Sequence, residues 1–101
     1  MSSSNSVEVE SDPYQVAQTI ALMALGRRAK SRGELFKLLK SRGIEEEVAN
    51  AVLFRLAEQG FINDHEFARY WSESRQRTKK VSKRIISGEL RSKGISPEII
   101  E

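Results

Sequence analysis

The stretches Leu39-Lys-Ser-Arg-Gly-Ile-Glu-Glu-Glu-Val-Ala49 and Leu90-Arg-Ser-Lys-Gly-Ile-Ser-Pro-Glu-Ile-Ile100 are one phrase written twice, 51 residues apart. From Leu39 to Ile44 and from Leu90 to Ile95 the two copies differ only by exchanges between lysine and arginine. The correspondence extends outward at the same offset. Ser31 falls on Ser82, Arg32 on Lys83, Leu35 on Ile86, Ala17 on Ala68, Ile20 on Trp71 and Arg28 on Lys79. An internal repeat of this length points to similar structural units arranged in an extended array.

Each unit reads as three helices, so the expected fold is all-α: tandem three-helix repeats in an elongated array. Asp12-Pro13 is an N-cap followed by proline at the first helical position, and Tyr14, Ala17, Ile20, Ala21, Ala24 and Leu25 follow at helical spacing. Ser31 with Glu34 three residues later forms a capping box ahead of Leu35, Leu38 and Leu39, and Gly43 ends that helix as a left-handed residue. A third helix is predicted from about Glu45 to Gln59 around Val48, Val52 and Leu56, with Gly60 as its stop. Its leading glutamates compensate the positive end of the helix dipole. The second unit opens at Asn63-Asp64 with Glu66, and its inner face is Phe67, Ala68 and Trp71. It continues through a helix from Ser82 to about Lys93 around Ile86 and Leu90, stopped by Gly94. Ser96-Pro97-Glu98 starts a last helix, and the sequence ends about one turn later. The organisation is then a disordered tail over 1–11, a first repeat over 12–60 and a second over 61–101 whose last helix is incomplete. Ile95, Ile99 and Ile100 are expected to lie uncovered there, a surface that favours self-association.

The chain has 101 residues, no cysteine and a formal charge of +3. That excludes disulfides and thiolate metal sites and fits a reducing compartment. No apolar run approaches the roughly 20 residues that span a bilayer, and the polar N-terminus lacks a secretory pattern. The charge is banded. Arg27, Arg28, Lys30, Arg32, Lys37, Lys40 and Arg42 face only Glu34 within 27–42, and Arg75, Arg77, Lys79, Lys80, Lys83, Arg84, Arg91 and Lys93 face only Glu89 within 75–93. Acids are absent from Gly26 to Gly33 and from Ser74 to Gly88. Solvated helix faces also carry charge runs, but bands without acids favour a surface that attracts polyanions. These fifteen cations are the candidate binding face.

The remaining candidates read as structure. Trp71 occupies the slot of Ile20 and belongs to the core, whereas Tyr70 is open between surface residue and stacking platform. His65, the lone histidine, sits beside two acids at a helix start and reads as a surface residue. Glu45, Glu46 and Glu47 are consecutive and fan around a helix, so they do not converge on a metal. No phosphate loop, nucleophile–base pair or zinc spacing occurs, and the expectation is a binding protein, not an enzyme, with no cofactor and no small-molecule substrate.

Leu25-Gly-Arg-Arg-Ala-Lys-Ser-Arg-Gly-Glu-Leu35, Leu56-Ala-Glu-Gln-Gly-Phe-Ile-Asn-Asp64 with Phe67-Ala68, and Ile85 to Leu90 followed by Lys93-Gly94-Ile95 together resemble the RecX regulatory proteins. The likeness covers roughly residues 15–101 with the blocks in order, and departs at Lys79-Lys80-Val81-Ser82, where the family often has a glycine-containing turn. The resemblance implies a family that carries three such repeats, of which this sequence holds the first two. It also implies a cytoplasmic partner: the RecA recombinase filament, whose recombinase and coprotease activities in DNA repair and the SOS response such proteins inhibit. Single- or double-stranded DNA is a weaker second partner. The competing expectation is a basic, helix-turn-helix-like module that acts on DNA directly. Against it, both basic bands lie on second helices and their lead-in turns, while the third helix is acidic where base contacts usually sit.

Overall fold

Six helices form two units in the computed structural model, which describes residues 12–79 and 81–100; residues 1–11, expected as a tail, lie outside them with Lys80 and Glu101. They are α1 (Pro13–Arg27), α2 (Arg32–Ser41), α3 (Glu46–Glu58), α4 (Asp64–Lys79), α5 (Lys83–Ser92) and α6 (Pro97–Ile100). No strand occurs among the described residues. The starts of α1, α2 and α3 recur 51 residues later as the starts of α4, α5 and α6.

Local chemistry accounts for these boundaries. Asp12 Oδ1 accepts from the Tyr14 amide at 3.0 Å. At α2 the box is reciprocal: Ser31 Oγ accepts from the Glu34 amide at 3.0 Å and Glu34 Oε1 from the Ser31 amide at 3.1 Å. At α4 the side-chain cap comes from Asn63. Asn63 Oδ1 accepts from the Glu66 amide, while the Glu66 carboxylate pairs with Arg69. Helices α2, α3 and α5 end at Gly43, Gly60 and Gly94, with φ of 85°, 86° and 83°. In each case the next amide turns back onto a carbonyl five residues earlier: Ile44 on Leu39, Phe61 on Leu56 and Ile95 on Leu90.

Two cores result. The first joins Ala17, Ala21 and Ala24 of α1 with Leu35 and Leu39 of α2 and Ala49, Val52, Leu53 and Leu56 of α3. The alanine stripe lets α1 approach its neighbours closely. Ile62, from the connection after α3, also packs into this core. The second core is smaller, with Phe67, Ala68, Ile86, Leu90 and Ile95 buried and Trp71, Val81, Ile99 and Ile100 packed against them. Ile95 was expected to be uncovered but is only 2% exposed, because the reversal after Gly94 folds it under α4 and α5. Ile99 and Ile100 are half-buried.

The units meet where α2 begins and α5 ends. A Cβ on Gly33 would stand 2.7 Å from both the Gly94 Cα and the Lys93 carbonyl oxygen, and a Cβ on Gly94 would stand 2.7 Å from the Gly33 Cα. Glycine at both positions is what permits the approach. Buried Ser31 donates to the Lys93 carbonyl at 2.5 Å, and the Arg32 amide donates to Asp64 Oδ1 at 2.9 Å. The result measures 59 × 24 × 23 Å with a radius of gyration of 16.5 Å, against about 12–13 Å for a compact domain of this size.

Candidate partner-binding surface

The sequence nominated fifteen cations, and the fold divides them. Four are engaged within the protein. Arg28 donates to the Ala29 carbonyl at 2.9 Å and to Glu34 Oε2 at 3.2 Å. Arg32 Nη2 donates to Asn50 Oδ1 at 2.7 Å. Arg75 grips Glu89 with two hydrogen bonds, 2.9 Å from Nε and 2.6 Å from Nη2. Lys93 reaches from α5 to Glu34 Oε2 at 3.0 Å and lies 4.4 Å from the centroid of the Trp71 ring.

The last of these organises the junction. Burial pushes the Glu34 carboxyl upward, but the Lys93 ammonium, the Ser31 amide and the Arg28 guanidinium outweigh it and hold the group below the ordinary glutamate range. Glu89 is likewise held low, first by Arg75 and then by the Trp71 indole N–H, which donates at 2.9 Å. Both acids are therefore carboxylates at neutral pH. They serve as internal anchors for cations that the sequence presents as surface charge.

The other described cations remain outward. Lys37, Lys40 and Arg42 are exposed on α2 and its end, and Lys83, Arg84 and Arg91 are exposed on α5. Arg27 and Arg77 are exposed on α1 and α4. Lys79 closes α4, and its side chain lies outside the described set. Lys30 and Lys37 come together with Lys93 around an open groove of about 470 Å³ at the junction, lined also by Glu34, Leu38, Ser41 and Ser92. Lys30 also joins Arg27 and Arg42 at a smaller groove of about 190 Å³ floored by Ile20, Ala24 and Leu38. Arg77, Lys83, Arg84 and Arg91 converge on neither groove.

The aromatic residues divide as well. Trp71 stacks beside Phe67 with ring centroids 6.1 Å apart, as expected of a core position. Tyr70 is 67% exposed and Phe61 is 54% exposed. Phe61 entered the sequence reading only as one residue of the block Leu56 to Asp64, with nothing to mark it as exposed. His65 is exposed at the start of α4. Among the described residues no group of three or more histidines, aspartates or glutamates could hold a metal ion, and no described helix is long and apolar enough to cross a membrane.

The geometry defines a class of protein: a helical array of three-helix units that offers grooves and separated cations along its length and ties its two units together with a half-buried ion pair. Comparison with known proteins agrees. The RecX first three-helix domain matches residues 17–56 and the RecX second three-helix domain matches residues 63–101. The regulatory protein RecX of Mycobacterium leprae is 39% identical over 90 residues, covering 89% of this chain and 53% of the relative. That of Streptomyces coelicolor is 39% identical over 90 residues, covering 89% and 48%. The crystal structure of RecX from Lactobacillus salivarius superposes with a TM-score of 0.84 at 25% identity, covering 88% of this chain and 58% of that one. The chain belongs to the RecX family of regulatory proteins and spans about half the length of the curated relatives it matches.

Proposed function

We propose that this chain regulates a RecA recombinase by binding its filament in the cytoplasm, suppressing recombinase and coprotease activity in DNA repair and the SOS response. The observation that carries this reading is the RecX match across both units. The shape supports it: an array 59 Å long offers repeated contacts along its length, and weak contacts held together gain from effective concentration. Exposed Lys37, Lys40, Arg42 and Arg91 suit a polyanionic partner, whether DNA phosphates or an acidic filament surface.

Direct action on DNA is the rival reading. A helix-turn-helix module reads bases from the start of its third helix. Here α3 begins with Glu46 and Glu47, which repel phosphates. The deciding experiment titrates the protein into the DNA-dependent ATPase and strand-exchange reactions of RecA, with free-DNA binding measured in parallel at several salt concentrations. Substoichiometric inhibition with weak, salt-sensitive binding to free DNA is expected. Tight DNA binding with no effect on RecA would sink the proposal.

A further inference from the structure

Three helices end in the same glycine reversal, and in two the apolar residue after the glycine is buried: Ile44 at 8% exposure and Ile95 at 2%. The third is Phe61, left 54% exposed. It stands at the mouth of an aromatic trough made of two adjoining grooves of about 350 and 410 Å³, which share Ala29, Phe67 and Tyr70. Phe67 is the floor, Tyr70 and Trp71 line one side, and Lys30 stands at the rim. Four of the chain's aromatic residues, which number four Phe, two Tyr and one Trp, thus meet in one surface feature. Nothing in the packing of either core accounts for leaving Phe61 and Tyr70 in water.

We infer that this trough is the principal anchor site for a protein partner, taking an apolar side chain that has a carboxylate close to it in the partner's own segment. The inference rests on the proposed function and names where the filament protein is gripped. Charge argues for protein over nucleic acid. A strand bound by stacking needs a track of free cations for its phosphates. Here Arg28 is committed to Glu34, Arg69 is committed to Glu66 and Glu73, and the Glu66 carboxylate lines the trough itself. Lys30 is left, among the described residues, as the rim cation without an ion-pair partner. One ammonium beside an apolar slot fits one carboxylate beside an apolar side chain. The Trp71 ring is also poorly placed to stack a base, since Lys93 stands over it and Phe67 lies beside it. Exposed aromatic residues in a desolvated slot are the usual carriers of protein–protein affinity, with surrounding charges setting approach and orientation.

The test uses the full chain with 5-fluorotryptophan at Trp71, its sole tryptophan, titrated with RecA filaments at several salt concentrations. The fluorine resonance should shift on binding. Tyr70→Ser and Phe61→Ser, both at exposed positions and checked for unchanged melting, should each weaken binding about tenfold with the salt dependence intact. Lys30→Gln should weaken it a few-fold and reduce the salt dependence by about one ion. If the wild-type chain binds filaments while both aromatic variants bind equally well and the resonance stays put, the inference is overturned and the proposed function stands. If a single-stranded oligonucleotide alone moves the resonance and competes for the trough, the inference is overturned in favour of nucleic acid. If the wild-type chain binds no filament at all, the proposed function falls and takes this assignment with it.

Discussion

Ile20, Ala24 and Leu38 of the first unit occupy the positions held by Trp71, Arg75 and Glu89 in the second. In the first unit the three line an open apolar groove with Arg42 at its edge. In the second they form a bonded polar set, Trp71 and Arg75 both donating to Glu89. Lys93, the equivalent of Arg42, lies over Trp71 and reaches back to Glu34. The backbone slot is the same and its use differs. In the second unit these bonds tie α4 to α5 and Lys93 alone carries the set across to the predecessor, whereas the same face of the first unit meets no other described unit.

The cores differ in the same sense, and that difference is open to the largest test. The first unit buries α1, α2 and α3 around Leu35, Leu39, Leu53 and Leu56, all at 0–1% exposure. The second closes on a four-residue α6. Leu53→Ala should cost about 3–4 kcal/mol, because three full helices cannot collapse into the hole, while Leu90→Ala should cost roughly 2–3 kcal/mol. Urea unfolding measures both. Native-state hydrogen exchange should show amides of α1 to α3 outlasting those of α4 to α6, and the reverse order would break the comparison.

Gly43 and Gly94 are equivalent stops with nearly identical φ. Gly43→Ala should cost about 1 kcal/mol of left-handed strain alone. Gly94→Ala adds a clash with Gly33 and should cost roughly 2–3 kcal/mol. Solution scattering should then show altered inter-unit geometry for Gly94→Ala only. Equal costs and unchanged scattering would mean the glycine contact does not set the joint.

A smaller effect attaches to Glu34, whose partners come from both units. Its carboxyl ionises at lower pH folded than unfolded, so its contribution is complete above the ordinary glutamate range and is lost as pH falls below it. Glu34→Gln should cost about 1–2 kcal/mol at neutral pH and make the acid-induced loss of stability shallower. A pH series of melting curves checks both. The smallest effects belong to Lys40 and Arg91, equivalent and exposed in both units. Replacing either with glutamine should weaken filament binding modestly and lower its salt dependence by about one ion. Unequal losses would show that the two basic bands do not act alike.

The helical repeat was legible because its signals are local. Asp12-Pro13, Ser31 with Glu34, and glycines at 43, 60 and 94 bound helices through bonds that span two to five residues, and the apolar spacing needs only the helix period. The candidate binding face was legible less well. Arg28, Arg32, Arg75 and Lys93 look like surface charge in the sequence, and each is tied down in the fold. The reverse holds for Phe61: an apolar residue after a stopping glycine ordinarily folds under its helix, as Ile44 and Ile95 do, and this one stays outside.

Caps, stops and the spacing of apolar residues therefore carry the all-α architecture and its 51-residue period without reference to any distant contact, since each acts within a turn or two of itself. Which charges stay free is settled elsewhere. Glu34 meets Lys93 across 59 residues and Ser31 meets the Lys93 carbonyl across 62. Those pairings exist only because Gly33 and Gly94 let the two units close to van der Waals distance. Packing chooses the partners of these charges, and so leaves Lys30, Lys37 and the aromatic trough facing outward.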